Sequence, residues 1–109
     1  RNRQDRISCS MKALAELHIV PEGVGPSLSK PIADCHRILE KAGLNPQLHA
    51  FGTNVEGEWE DLCKALRECH ETLHQSGAQR VNTTLKISTR SDREESLQSR
   101  VESVNTVCG

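Results

Sequence analysis

Residues 47–59, QLHAFGTNVEGEW, decide the fold of this chain. The residues on either side of Gly52 have the character of two short strands. We predict that Gly52 reverses the chain between them, because glycine tolerates the positive φ of a tight turn. Glu56 and Glu58 then bring acidic groups to the start of a helix, where the helix dipole favours them. Two central strands with a helix on each side in sequence indicate a β-α-β-β-α-β plan.

The rest of the chain supplies the other elements of this plan. Alternation of side chains with a period of two predicts the first and the last strand of the sequence, and apolar stripes at helical spacing predict the helices. Ser91 and Glu94 have the spacing of a capping box and predict the start of a C-terminal helix. In chain order, the expected elements are a strand at 12–20, a helix from Pro31 to the stop at Gly43, strands at 44–51 and 53–57, a helix at about 58–76, a strand at 80–89 and the last helix.

This order predicts an α+β fold, a ferredoxin-like β-α-β-β-α-β sandwich with an additional C-terminal helix. The two main helices cover one face of the sheet and leave the other face open. We expect one domain at 11–109, because a chain of 109 residues fits a single domain. Residues 1–10 are polar and basic, and we expect them to be a disordered or targeting leader.

Composition excludes several classes of function. The net charge is −1 and the only aromatic residues are Phe51 and Trp59, so neither a basic surface nor a base-stacking platform for nucleic acid is expected. No apolar run reaches the roughly 18 residues of a membrane span. We interpret Cys35, Cys63 and Cys69 as reduced thiols at core-facing helical positions, which predicts a cytoplasmic protein, or a mitochondrial one if the leader is a targeting remnant.

Polar residues on the open sheet face form the candidate binding site. A carboxylate, hydroxyls and imidazoles around a cavity can hydrogen-bond a polar heterocycle, whereas the alternative is a solvated face with scattered charge pairs. No catalytic triad, phosphate loop or paired-carboxylate spacing is found, so we expect no catalytic residue. The candidate ligand-binding residues are Glu16 and His18 of the first strand, His49, Thr53 and Glu56 of the hairpin, and Thr84 and Lys86 of the last strand.

One stretch matches a metalloprotease motif. His70-Glu71-Thr72-Leu73-His74 fits H-E-x-x-H, in which two histidines one helical turn apart hold zinc. A catalytic zinc normally takes a third protein ligand, and no histidine follows His74. We therefore expect no metal site and interpret the motif as structural; the alternative is a small metal-dependent hydrolase that uses His70 and His74.

The hairpin also carries a resemblance. Gly52 to Trp59 reads G-T-x-x-E-G-x-W, and together with the first strand and its Pro/Gly loop it resembles the small thiamine-binding protein family. That family was long uncharacterised and is related to the hydroxymethylpyrimidine/thiamine-binding protein of bacilli. The resemblance covers nearly all of residues 11–107. Ala50-Phe51 stands where the family frequently has Pro-Met, and Pro21-Glu22-Gly23 stands where it usually has a Pro-apolar-Gly turn.

The resemblance implies a ferredoxin-like sandwich that forms dimers and then tetramers. It implies binding of thiamine or its hydroxymethylpyrimidine half near the subunit contacts, with no catalytic activity and no cofactor. Glu16 or Glu56 would accept from the pyrimidine amino group, and Thr53 and Thr84 would orient the ring. Lys86 would be unfavourable beside a cationic thiazolium, so we expect it to pair with a glutamate or to bind a phosphate group. The alternative is an oligomeric structural or interaction module without a ligand.

Overall fold

The computed structural model describes residues 10–23, 25 and 29–108. The expected leader at 1–10 therefore lies outside the described residues, apart from Ser10. The predicted order of elements is confirmed. The elements are β1 (Lys12–Glu22), α1 (Ser29–Lys41), β2 (Gln47–His49), β3 (Gly52–Glu58), α2 (Trp59–Gln75), β4 (Arg80–Thr89) and α3 (Leu97–Cys108).

The four strands form one antiparallel sheet in the order β2-β3-β1-β4. This is the ferredoxin-like arrangement that the sequence predicted. β1 pairs with both β3 and β4, so Ala15 lies opposite Val55 on one side and Ile87 on the other. Because side chains alternate along a strand, these three residues share the face that α1 and α2 cover.

The hydrophobic core lies between this face and the two helices. Leu17 and Val55 from the sheet pack against Leu39 of α1 and Leu62 and Leu73 of α2, and all five side chains are buried. The core is built almost entirely from aliphatic residues, because the aromatic rings contribute only the partly buried Trp59. In the described part of the chain, no helix combines the length and the apolarity needed to cross a bilayer.

The hairpin differs from the prediction in where it turns. His49 pairs with Gly52, so Ala50 and Phe51 form the turn, and Gly52 is the first residue of β3. β2 is only three residues long, because Leu44 to Pro46 connect it to α1. A Cβ atom at Gly52 would lie 2.5 Å from the backbone oxygen of Leu17. Glycine is therefore required here by the close approach of β3 to β1.

The start of α3 is also later than predicted. The prediction that Ser91 and Glu94 form a capping box is wrong, because α3 begins at Leu97. Ser96 and Ser99 form the reciprocal cap instead: each backbone N–H donates to the other side-chain hydroxyl at 3.0 Å. Arg90 holds the preceding segment outside the helix by pairing with Asp92 at 2.6 Å and with Glu95 at 3.2 Å. The hydrogen bond from Arg90 lowers the pKa of Asp92.

The prediction that three cysteines face the core is wrong for one of them. Cys35 and Cys69 are buried as predicted, whereas Cys63 is exposed. The buried stripe of α2 runs through Leu62, Ala65 and Cys69, and Cys63 lies about 100° around the helix from Leu62. The Cys69 thiol donates to the Cys35 carbonyl oxygen at 3.9 Å. Contact with Cys35 and burial raise the pKa of the Cys69 thiol, so it stays protonated.

Candidate functional site

Three side chains from three strands meet on the open face of the sheet. Glu16 lies opposite Asn54 of β3, and His49 at the end of β2 reaches both residues. The Nε2 atom of His49 is 3.0 Å from Asn54 Oδ1 and 3.4 Å from Glu16 Oε2. His49 Nδ1 accepts from the backbone N–H of Phe51 at 3.3 Å, so the ring proton resides on Nε2 and is donated to Asn54. We call Glu16, His49 and Asn54 the polar cluster.

The polar cluster borders a hollow of about 130 Å³. Glu16 and Asn54 line it, together with Lys86 of β4, and Leu97 and Arg100 of α3 form the opposite wall. Asn54, Leu97 and Arg100 also line a wider groove of about 550 Å³ that continues along α3 to Asn105. The hollow and the groove are therefore neighbours that share three lining residues between the sheet and α3.

Several predicted site residues share this open face. Lys86 lies directly opposite Glu16, and Thr84 lies directly opposite His18, two positions farther along the same strands. His18, Thr84 and Lys86 are exposed, whereas Glu16 and His49 are partly buried. Alternation along β1 and β4 therefore placed four of these side chains together correctly, and His49 joins them from β2.

Thr53 lies on the other face of the sheet. It pairs with Leu17, whose side chain is in the core, so Thr53 faces the helices. The residue that reaches the polar cluster from β3 is its neighbour Asn54. The alternation of β3 around buried Val55 was the signal that could have identified Asn54. The expected placement of Thr53 on the open face is thus wrong by one residue.

Glu56 faces the open side but has a structural partner. Its Oε1 accepts from the backbone N–H of Leu97, the first residue of α3, at 2.8 Å, and its Oε2 accepts from Asn45 Nδ2 at 3.4 Å. Glu56 thereby satisfies an N–H group that the helix itself leaves free at its N-terminus. It fixes the helix that walls the hollow, and it does not line the hollow.

A second cavity lies on the helix-covered side. It measures about 150 Å³ and is bounded by α1, the end of β1 and the hairpin. Its walls are mainly apolar, with Ile32 and Leu48 among them. Four residues with polar side chains also line it, namely His36 and three predicted site residues, His18, His49 and Thr53. This cavity offers hydrophobic volume, whereas the carboxylate and the amide of the polar cluster lie at the hollow.

The H-E-x-x-H histidines have separate structural contacts. His70 Nε2 lies 2.6 Å from Thr83 Oγ1, which ties α2 to β4. His74 Nδ1 lies 2.9 Å from the carbonyl oxygen of Ala78, just beyond the helix end. Among the described residues, no group of three or more His, Cys, Asp and Glu side chains is arranged to hold a metal ion.

Residues 15–105 match the family model described as thiamine-binding protein. The chain belongs to the thiamine-binding protein family. A UPF0045 protein of Synechocystis is 39% identical over 97 residues, which span 89% of this chain and 80% of that protein. A UPF0045 protein of Bacillus subtilis is 38% identical over 98 residues, which span 85% of this chain and 94% of the relative.

Solved structures of similar proteins share the fold. The crystal structure of hypothetical protein MJ1052 from Methanocaldococcus jannaschii superposes with a TM-score of 0.80 at 32% identity, covering 87% of this chain and 97% of that one. A Thermotoga maritima protein, whose name proposes thiamine biosynthesis or salvage, superposes with a TM-score of 0.71 at 22% identity. That match covers 85% of this chain and 98% of the other, and at this identity it supports the fold alone.

Proposed function

We propose that this protein binds thiamine or its hydroxymethylpyrimidine half in the hollow beside the polar cluster, without catalysing a reaction. The observation that carries the proposal is that Glu16 and Asn54, both in contact with His49, line a hollow on an otherwise open sheet face. Membership of a family named for thiamine binding supports the class of ligand.

The polar groups complement the edge of an aminopyrimidine. Such a ring presents an amino donor next to a ring nitrogen that accepts. Glu16 supplies a carboxylate acceptor, and Asn54, whose oxygen is engaged by His49, supplies its amide N–H₂ as donor. Leu97 adds an apolar wall against which the ring can lie. A hydrogen bond to a charged acceptor contributes about 1.5–3 kcal/mol, which corresponds to at least tenfold in affinity.

A binding role suits these groups better than a catalytic one. Both nitrogens of His49 are engaged, one by the Phe51 N–H and the other by Asn54. A general base needs a free nitrogen within reach of the proton it removes. We therefore assign His49 the role of orienting Asn54 and Glu16.

Titration calorimetry tests this proposal. We expect saturable binding of thiamine or hydroxymethylpyrimidine to the wild-type protein, and a loss of about tenfold or more in Glu16→Gln. Glu71→Gln is the matched control, since it removes the same charge from the exposed surface of α2, where Glu71 pairs with Arg67. If neither compound binds, the result would contradict the proposal and favour an assembly or interaction module without a ligand.

We also propose that the protein self-associates to a dimer or tetramer. The edge strand β4 carries the exposed Leu85, and α3 exposes Val101 and Val104, each 59% accessible. Exposed edges and apolar surfaces of this kind are typical of subunit contacts. The hollow would then lie near a contact, because α3 forms its wall. Light scattering coupled to size-exclusion chromatography would contradict this if it gave the monomer mass at all concentrations.

A cytoplasmic location is the third part of the proposal. Cys63 and Cys108 are free and exposed, and such thiols persist in reducing compartments. Fluorescence microscopy of the tagged protein in its own cells would test the location, and a secreted or organellar signal would contradict it.

A further inference from the structure

Two cationic side chains line the same hollow as Glu16. Lys86 lies opposite Glu16 in the β1–β4 register, and Arg100 projects from the first turn of α3. The carboxylate of Glu16 is directed to His49, at 3.4 Å. Within the part of the chain that the structure describes, Lys86 has no ion pair with a carboxylate. The expected pairing of Lys86 with a glutamate is therefore not found among these residues.

Arg100 is only weakly neutralised. Its nearest carboxylate is Glu95, with Nε to Oε2 at 4.0 Å. The same oxygen of Glu95 lies closer to Arg90, at 3.2 Å. The Arg100 side chain is 52% exposed, so its guanidinium can reorient toward the hollow at little cost. With Lys86 and Arg100 positive and Glu16 negative, the charged groups that line the hollow leave one positive charge in excess.

We propose that this hollow selects a phosphate ester of the aminopyrimidine over the cationic vitamin; this inference rests on the proposed function. In both compounds the substituent hangs from the same methylene of the pyrimidine ring. With the ring held by Glu16 and Asn54, that methylene carries either a phosphate or a positively charged thiazolium toward the same place. Lys86 and Arg100 attract the phosphate and repel the thiazolium.

The spacing of the strands fits this pose. Residues directly opposite in an antiparallel pair have Cβ atoms about 4.5–5.5 Å apart, and Lys86 is the residue directly opposite Glu16. One ligand can therefore contact the carboxylate through its ring and the ammonium through a short substituent. Lysine and arginine are the two side chains that bind phosphate best, lysine as a point charge and arginine as a planar fork.

The test is titration calorimetry with hydroxymethylpyrimidine, its monophosphate and thiamine, at low and at high ionic strength. We expect the wild-type protein to bind the monophosphate at least about tenfold more tightly than the alcohol, with the difference shrinking as salt is added. Lys86→Gln and Arg100→Gln should each weaken binding of the monophosphate and strengthen binding of thiamine, so that the preference for the monophosphate falls. Lys64→Gln, which removes a charge from exposed α2, should alter none of these affinities.

Opposite effects of one substitution on two ligands exclude a general loss of folding. Equal or weaker binding of the monophosphate than of the alcohol would overturn the inference and leave the proposed function standing. Unchanged preference in both Lys86→Gln and Arg100→Gln would overturn it as well. Failure of all three compounds to bind would remove the proposed function and this inference together.

Discussion

Glu16 of β1 and His49 of β2 contact each other across a strand that separates them, with His49 Nε2 3.4 Å from Glu16 Oε2. Strands two places apart in a sheet are about 9.6 Å apart, so a side chain on the middle strand would normally fill the gap. The middle strand begins with Gly52 here, and a Cβ atom on it would lie 3.8 Å from Glu16 Cγ. The missing side chain therefore leaves room for the polar cluster.

The first prediction concerns this glycine. Gly52→Ala should destabilise the fold, because the new Cβ would lie only 2.5 Å from the Leu17 carbonyl oxygen. The backbone of β1 or β3 would have to shift to relieve this clash. Gly77→Ala is the matched control, since Gly77 has φ +112 and open space around its Cβ position. We expect Gly77→Ala to cost about 1–2 kcal/mol from backbone strain, and Gly52→Ala to cost at least about 1 kcal/mol more. If urea unfolding shows that both substitutions lower the free energy of unfolding by the same amount, this account would be contradicted.

The second prediction concerns coupling within the polar cluster. A double-mutant cycle with Glu16→Gln and His49→Gln should give a coupling free energy of about 0.2–1 kcal/mol. The value is small because the two side chains are 39% and 34% exposed and solvent screens the contact. Pairing Glu16→Gln with His36→Gln on α1 should give additive effects, since His36 has Glu40 as its partner. If the stability changes of the two substitutions in the first cycle simply add, the contact between Glu16 and His49 contributes no stability.

Alternation predicted much of this site from the sequence. β4 has the bounds that its apolar-polar pattern indicated, and the face shared by Glu16, His18, Thr84 and Lys86 follows from a period of two. The error at Thr53 came from treating Gly52 as the turn. Moving the turn to Ala50 and Phe51 makes Gly52 part of β3, and register decides which residue faces which side.

The wall of the hollow could not be predicted in this way. Ser91 and Glu94 satisfy a local helix-start pattern, but Arg90 binds Asp92 and Glu95 and keeps this segment out of the helix. The position of α3 then depends on the contact of Leu97 with Glu56, which are 41 residues apart in sequence. Contacts between residues so far apart in sequence form only in the packed fold. No local sequence pattern therefore indicated that Leu97 and Arg100 line the hollow.

The third prediction concerns thiol reactivity. In a Cys9→Ser protein, Cys63 and Cys108 should react quickly with an aromatic disulfide reagent, because both are exposed. Cys35 and Cys69 should not react until the protein unfolds. The thiolate is the reactive form, and the raised pKa of Cys69 keeps that thiol protonated as the pH increases to about 9. A third fast-reacting thiol in the folded protein would contradict the burial of this pair.

The fourth prediction separates a positioning role of Glu56 from direct contact with the ligand. Glu56→Ala removes the acceptor of the Leu97 N–H and should cost about 0.5–2 kcal/mol, as the loss of a helix cap does. Because α3 has no buried residue of its own, the loss should appear as faster hydrogen exchange at 97–108. The strands β1 and β3 should keep their protection.

Glu56→Gln is the decisive companion variant. Its amide oxygen can still accept from Leu97 N–H, so α3 should stay in place and ligand affinity should remain within about twofold of wild type. In Glu56→Ala the wall of the hollow loosens, and affinity should fall even though Glu16 and Asn54 are intact. If the Glu56 carboxylate instead bound the pyrimidine directly, Glu56→Gln would lose affinity as strongly as Glu16→Gln while hydrogen exchange in α3 stayed unchanged. Calorimetry and exchange on the same two variants therefore assign Glu56 to the helix or to the ligand.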